Sequence, residues 1–450
     1  MSGKDQMELE GRKTLVVGLG KTGRETVKFL LGRKAEVRAT DLCERGDLSA
    51  EALGFEVMGV KIETGEHKLE TFLWADTVVM SPGVPLTQSV VQESIKRGAE
   101  VISELELASR FLRKPVVALT GSNGKTTTTT LITAILRRGG KKVFLGGNIG
   151  TPAIEVVDSQ DTLDVIVLET SSFQLQGTDS FRPDIGVILN ISPNHLDHHL
   201  SLEEYVDSKM KLFANQNEGD FAIYNSQDAL LREKMESVTS NKIPYGTDAT
   251  QNGLSLRCAK VTFRDETYDL SRMRLPGEHN MENAMAAIAA ATLLGCPKDI
   301  IEREILSFAP LEHRINLVAV IEGAKFYNDS KSTSPSATLR ALQSLNAPVI
   351  LIAGGKDKGA SYGALGGEVK NKVKLLILMG EAKHTMKHEL GELVETSLVE
   401  TLDEAVGECL KNLRKGDNVL FSPACSSFDM FSSYEERGRR FSDIVQNIRL

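Results

Sequence analysis

The chain is poor in cysteine, tryptophan and aromatic residues in general: five cysteines, one tryptophan and 5% aromatics in 450 residues. Cys43, Cys258, Cys296, Cys409 and Cys425 are odd in number, widely spaced and without a C-x-x-C pair. That pattern argues against a disulfide framework and for reduced thiols in the cytoplasm. No apolar run reaches the roughly 18 residues of a membrane span, and the polar stretch Met1–Arg12 lacks a signal-peptide core. An excess of positive charge is missing too. The net charge of −8 excludes a general nucleic-acid binder, so anionic ligands must be held by local clusters of donors. What remains is the composition of an ordinary globular chain, 25% charged and 41% apolar. Its length fits about three domains, each able to bury its own core, and no repeat or low-complexity segment is present.

The most informative segment is Pro115-Val-Val-Ala-Leu-Thr-Gly-Ser-Asn-Gly-Lys-Thr-Thr127, an apolar strand running into a glycine turn, a lysine and two hydroxyls. Backbone N–H groups of Gly121, Ser122, Asn123 and Gly124 can face phosphate oxygens, the Lys125 ammonium can reach terminal phosphates, and Thr126 can ligate Mg²⁺ at a helix N-terminus, with Thr127 behind it. The turn is Gly-x-x-Gly-Lys-Thr; the commoner spacing would require glycine at Leu119. A turn that merely needs glycines would not explain Lys125 beside Thr126.

Three blocks follow from the order of strand and helix signals. The first, residues 1–111, opens with the strand Thr14-Leu-Val-Val17, the turn Gly18-Leu-Gly20-Lys-Thr22-Gly23 and a second strand ending at Asp41. Such a βαβ opening favours a diphosphate at the helix N-terminus and a hydroxyl on the carboxylate, and suits NAD, a flavin nucleotide or a nucleotide-sugar. The strand Thr77–Met80 ends in Ser81-Pro-Gly83, at the carboxyl edge where such sheets bind ligands. The second block, 112–311, places Glu169 at the end of the apolar run 164–169, where a buried carboxylate needs a positive partner: Mg²⁺ beside Thr126, or a basic side chain. After the apolar run 185–190 comes Ile191-Ser-Pro-Asn-His195-Leu-Asp197, then Ser201-Leu-Glu-Glu204, which reads as a capping box opening a helix with Tyr205 and Lys209 one turn apart. By helical position alone Lys209 reads as a solvated surface lysine.

The third block, 312–450, has polar clusters after its strands: Asn328-Asp-Ser-Lys331 with Thr333, Gly354-Gly-Lys-Asp-Lys358, and Ser422-Pro-Ala-Cys-Ser-Ser427-Phe428. Singly these read as turns; their repeated place at strand ends points to sites. His384 and His388 have i, i+4 metal-like spacing but no acidic partner motif, and read as a solvated helix face. The fold class is α/β in three domains: a Rossmann-like N-terminal one, a central P-loop ATPase-like one on a mostly parallel sheet, and a Rossmann-like C-terminal one.

Thr120-Gly-Ser-Asn-Gly-Lys-Thr-Thr127, Glu169-Thr-Ser-Ser-Phe-Gln-Leu175, Asn190 through His195-Leu-Asp197, Gly277-Glu-His-Asn280-Met-Glu-Asn283, His313-Arg314 and Asn328-Asp-Ser-Lys331 together resemble the ordered motifs of the Mur ligases over nearly the whole chain. Further segments, Gly147-Asn-Ile-Gly150, Ser422 through Phe431 and Glu436-Arg-Gly438, resemble the family's D-glutamate-adding members. The resemblance implies a cytoplasmic ATP- and Mg²⁺-dependent ligase of peptidoglycan precursor synthesis, taking UDP-N-acetylmuramoyl-L-alanine and D-glutamate, with no nucleic-acid partner and a monomeric state. It implies that Lys125, His195 and Lys209 are catalytic, that Thr126, Glu169, His195 and Lys209 carry the metal, and that a CO₂-derived carbamate forms on Lys209. Asn280 and Asn283 match adenine-side contacts, and Arg314, Asp329 and Lys331 match groups that close over ATP. Gly20, Thr22, Asp41, Ser81, Gly83 and Asn148 match the nucleotide-sugar side, and Thr333, Lys358, Ser427 and Phe428 the region that receives D-glutamate. Tyr434 and Leu42-Cys43 depart from residues familiar in the family. Other Mur ligases and folylpolyglutamate synthases are the nearest alternatives. A nicotinamide-dependent dehydrogenase would leave Lys125 and Glu169 without work, and a nucleotide-sensing or transport ATPase would not need a third domain for an amino acid.

Overall fold

A computed structural model describes residues 7–81, 84–192, 199, 201–247, 253–275, 277–309, 312–357, 359 and 361–448. Its strands form three sheets, of five, nine and six strands. The runs Thr77–Met80, Val116–Thr120, Val165–Glu169 and Val349–Gly354 are buried along their whole length. Continuous apolar strands of this kind belong to parallel sheets covered on both faces, where each fully buried valine, leucine or isoleucine contributes about 1.5–3 kcal/mol.

The first sheet is entirely parallel, in the order Lys61–Thr64, Glu36–Asp41, Lys13–Val17, Thr77–Met80, Glu100–Ser103. Its order reverses between Lys13–Val17 and Thr77–Met80, which opens a crevice at their carboxyl ends. The Gly18–Gly23 turn lies on one side of that crevice and Ser81 on the other.

The nine-stranded sheet runs Glu266–Asp269, Lys260–Phe263, Leu254–Arg257, Asn241–Gly246, Phe221–Asn225, Ile185–Ile188, Val116–Thr120, Val165–Glu169, Val143–Gly147. The first three make an antiparallel meander at one edge and the rest pair in parallel. Because Val116–Thr120 lies between Ile185–Ile188 and Val165–Glu169, the glycine turn, Asn190 and Glu169 arrive at one carboxyl edge. The helix Lys125–Arg138 begins with five threonines after its lysine, poor helix formers that pack and bond their way in. Thr128 and Thr129 hydroxyls donate to the Gly124 and Lys125 carbonyls, both at 3.0 Å, while Leu131, Ile132, Ile135 and Leu136 enter the core. The helix stops at Gly139-Gly140, with φ +84° at Gly140.

These two sheets belong to one compact unit, which takes in the described residues to 191, 199–271 and 282–305. Two carboxylates of the short helix Glu104–Ser109 help to join them. Glu106 takes the N–H groups of Asp179, Ser180 and Phe181, the Ser180 hydroxyl and Arg110 Nε. Burial opposes its charge, but these donors outweigh burial and hold the carboxyl below its ordinary range.

The second unit carries the six-stranded sheet, in the order Asn316–Ile321, Ala324–Asn328, Asn418–Phe421, Val349–Gly354, Val373–Met379, Thr396–Leu398. Only its first pair is antiparallel. All five cysteines are free thiols. Among the described residues no helix is long and apolar enough to cross a membrane.

Candidate active site

The turn after Val116–Thr120 is built for close approach. Gly121 and Gly124 have φ of +148° and +85°, and a methyl group on Gly124 would come within 2.5 Å of Asn283 Oδ1. Asn190 clamps the turn from the neighbouring strand end: its Oδ1 accepts from the Asn123 N–H at 2.9 Å and its Nδ2 donates to the Asn123 carbonyl at 3.1 Å. Ser122 Oγ meets the buried Tyr205 hydroxyl at 2.9 Å; burial pushes that phenol up to about 12. Lys125 folds back onto the turn, donating from Nζ to the Gly121 carbonyl at 2.8 Å and the Ser122 carbonyl at 3.1 Å. Thr126 stands half-buried in the first turn of the helix and Thr127 is buried behind it.

Glu169 ends its strand fully buried. Its Oε1 accepts from Asn148 Nδ2 at 3.1 Å, and Oε2 has no hydrogen-bond partner among the described residues. A buried carboxylate oxygen left unsatisfied is costly, and one carboxylate with a threonine hydroxyl suits Mg²⁺, which is held by few protein ligands together with substrate phosphates. Among the described residues no group of three or more His, Cys, Asp or Glu forms a metal cage. Asn148, matched to the acceptor, here orients Glu169: its N–H also donates to the Glu169 carbonyl at 2.8 Å.

Lys209 corrects the reading from helical position. It is buried, not solvated, at 2% exposure. Its amine donates to the Gly121 carbonyl at 3.1 Å and to Thr120 Oγ1 at 3.4 Å, and lies 4.6 Å from the Tyr205 ring centre. Burial, and then the Lys125 ammonium, hold its pKa well below the ordinary value against the pull of Glu169. The supposed capping box is also revised. Ser201 Oγ caps the Glu204 N–H, but the Glu204 carboxylate accepts from Gln176 Nε2 at 2.8 Å; the complete box stands at Ser171 and Gln174. Sequence reading passed over His199, buried against Phe173 and Tyr205 with Nε2 2.9 Å from Ser172 Oγ. No spacing signal marks it.

In the first sheet, a methyl group on Gly23 would lie 1.7 Å from the Gly18 carbonyl oxygen, so that glycine serves helix–strand packing. Gly20 is different. Its φ is −62°, and among the described residues nothing but its own chain neighbours lies within 4 Å of where its Cβ would be. Thr22 is half-buried beside it, and Ser81 Oγ donates to the Gly18 carbonyl at 3.1 Å. Asp41 Oδ2 accepts from the Leu19 N–H at 2.6 Å and Oδ1 from the Cys43 N–H at 2.9 Å. Burial works against its charge, but those N–H groups prevail and lower its pKa.

In the second unit, Asp329 is buried and takes the Ser422 hydroxyl at 2.7 Å and the Ile315 N–H at 3.2 Å. Burial pushes it up to about 6 against Ser332, Ser422 and Arg314. Lys331 Nζ lies 5.0 Å from the centre of the Tyr434 ring. Arg437, which the sequence showed only inside a motif, is buried and ties two loops together, donating to Ser330 Oγ, the Ser330 carbonyl and the carbonyls of Cys425 and Ser426. Desolvation lowers it to about 10. Ser427 is buried, whereas Thr333 and Phe428 are exposed, Phe428 at 70%. Asn280 and Asn283 are buried at the start of the helix Glu278–Leu293. Gly83, His195 and Lys358 lie outside the described residues.

A crevice at a switch point of one sheet, a phosphate turn beside a buried carboxylate in the next and a further α/β unit suit an enzyme that handles nucleotides. The Mur ligase middle domain matches residues 119–291, the MurD-like N-terminal domain of Mur ligases 12–103, and the Mur ligase glutamate ligase domain 313–425. The chain belongs to the Mur ligase family. Within it, the chain is 42% identical over 446 residues to the UDP-N-acetylmuramoylalanine–D-glutamate ligase of Geotalea daltonii, covering 98% of each. It is 40% identical over 449 residues to the ligase of the same name from Syntrophus aciditrophicus, covering 98% of this chain and 99% of that one. Among solved structures, a pseudomurein peptide ligase type C from Methanothermus fervidus superposes with a TM-score of 0.62 at 18% identity, over 97% of this chain and 100% of that one. The MurF ligase from Thermotoga maritima, solved with ADP, gives 0.61 at 18%, over 98% and 96%. These two show the shared fold.

Proposed function

We propose that this chain is the ATP-dependent ligase that joins D-glutamate to UDP-N-acetylmuramoyl-L-alanine, releasing ADP and phosphate, as a cytoplasmic monomer. The observation that carries the reading is the buried Glu169 carboxylate, one oxygen unsatisfied among the described residues, beside a phosphate turn in a chain alike over 98% of its length to ligases of that name.

A carboxylate does not accept an amine at neutral pH, because oxide would have to leave. The alanyl carboxylate oxygen therefore attacks the γ-phosphorus, ADP departs, and an acyl phosphate results. The D-glutamate amine then attacks the acyl carbon, the C–O bond to phosphate breaks, and the amine proton passes to a base. Lys125 exchanges the Gly121 and Ser122 carbonyls for the transferring phosphate, supplying positive charge where negative charge develops. Thr126, Glu169, His195 and the carbamate form of Lys209 would hold Mg²⁺, which when bound offsets the repulsion between phosphate and carboxylate. The neutral amine that burial favours at Lys209 can attack CO₂ and lose a proton, turning a cation into an anion. Asn280 and Asn283 serve the adenine side, and Arg314, Asp329 and Lys331 are groups that close over ATP. Gly20, Thr22, Asp41, Ser81, Gly83 and Asn148 hold the nucleotide-sugar peptide. Thr333, Lys358, Ser427 and Phe428 receive D-glutamate.

Phosphate release over a matrix of UDP-muramoyl acceptors and amino acids should peak at UDP-N-acetylmuramoyl-L-alanine with D-glutamate; a maximum elsewhere overturns the substrates. Labelling with ¹³C-bicarbonate should give a carbamate resonance that Lys209→Arg lacks together with activity. A wild type that turns over normally without that resonance excludes the carbamate.

A further inference from the structure

The segment from Gly147 to Ile154 joins two regions that the catalytic reading treats separately. At its start, Asn148 bonds both the Glu169 carbonyl and the Glu169 carboxylate. The turn closes on itself through the Gly147 N–H and the Thr151 carbonyl at 2.8 Å. A methyl group on Gly147 would stand 2.3 Å from the Glu169 carbonyl oxygen, so the two strand ends meet without slack. At the other end, Ile154 donates its N–H to Glu104 Oε1 of the N-terminal block at 2.7 Å. In the middle, Lys21, from the nucleotide-side glycine turn, donates to the Gly150 carbonyl at 2.8 Å and lies 3.8 Å from Glu155. Glu104 is 1% exposed, and burial pushes its carboxyl up to about 7. Withdrawing a carboxylate from water to hold one loop is costly.

We infer that Lys21 and Glu104 are positioning residues: they pin the Gly147–Ile154 strap, and through Asn148 they set the orientation of the Glu169 carboxylate toward its metal. This rests on the proposed function only in taking Glu169 as a metal ligand. Because Lys21 lies between Gly20 and Thr22, an acceptor seated on that turn acts on the same strap, so acceptor binding and metal affinity are linked and the linkage is reciprocal.

The test uses the full chain with a non-hydrolysable ATP analogue, reading bound Mn²⁺ by electron paramagnetic resonance with and without UDP-N-acetylmuramoyl-L-alanine. Outer partners of a metal ligand typically change metal affinity by about tenfold or more. Lys21→Met and Glu104→Ala should therefore weaken Mn²⁺ by about tenfold and lose the tightening that the acceptor gives the wild type, while Glu104→Gln, which keeps the acceptor oxygen for Ile154, should stay close to wild type. Thermal melting checks the fold. Lys21 is exposed, so its variant carries the test if Glu104→Ala does not fold. Wild-type Mn²⁺ affinity and an intact acceptor effect in folded Lys21→Met overturn the inference. A wild type that binds no Mn²⁺ overturns the metal assignment of Glu169 instead.

Discussion

Two glycine turns, one after Lys13–Val17 and one after Val116–Thr120, look alike as strings of residues, and each has an acidic side chain at a nearby strand end. They differ in what the carboxylate is left to do. Asp41 has each oxygen engaged by a backbone N–H and so stiffens its own loop. Glu169 has one oxygen engaged and one buried without a hydrogen-bond partner among the described residues. A carboxylate satisfied by N–H groups is ready for a neutral hydroxyl, whereas one held short of satisfaction is ready for a cation. The difference separates a subsite for an organic group from one for metal and phosphate, and the glycines alone do not reveal it.

The largest effect should come from the unsatisfied side. Glu169→Gln, which keeps shape and the Asn148 bond but removes the charge, should lower amide formation by roughly a hundredfold or more with an unchanged melting curve. Near-normal turnover at saturating Mg²⁺ would make the two turns equivalent. Asp41→Ala should act more through stability. It strands the N–H of buried Leu19, while that of exposed Cys43 turns to water, a cost of about 1–3 kcal/mol in urea unfolding, and raises KM for the nucleotide-sugar while leaving ATP affinity alone. Since its folded pKa is lowered, the stability Asp41 gives is present above its unfolded value of 3.8 and is lost as pH falls through the lower folded one. The gap between wild type and variant should close there; a pH-independent gap would assign the loss to packing.

Gly20→Ala should have the smallest effect on the fold, within about 0.5 kcal/mol, because among the described residues its Cβ meets nothing but its own chain neighbours. A raised KM for the acceptor with unchanged stability would show that the space is kept for the ligand. No change in either would remove Gly20 from the site.

Much of this contrast is legible in the sequence. The phosphate turn follows from an apolar run closed by glycine, the strand ending at Glu169 from an apolar run closed by a carboxylate, and the strand ending at Asp41 from its place after the Gly18–Gly23 turn, because local sequence decides them. The orientation of Lys209 was not legible. A helical pattern says which residues share a face but not what covers that face, and here Tyr205 and the phosphate turn bury an amine that reads as solvated. His199 and Arg437 stayed hidden for a similar reason, since their partners lie 27 and as many as 107 positions away. The antiparallel meander from Leu254 to Asp269 was missed as well: its short strands are at most half apolar and stand at a sheet edge.

Glu106 bears on how this protein can be taken apart or recombined. The end of the first block at residue 111 looks like a place to cut, yet Glu106 takes its main donors from residues 179–181, and Glu104 takes one from Ile154. A fragment ending at 111 would carry two carboxylates shaped for absent loops, and the remainder would carry bare N–H groups where those carboxylates had been. A chimaera that borrows another ligase's nucleotide-sugar block must therefore import the matching turns at 153–154 and 179–181 with it, so the graftable module is discontinuous in sequence.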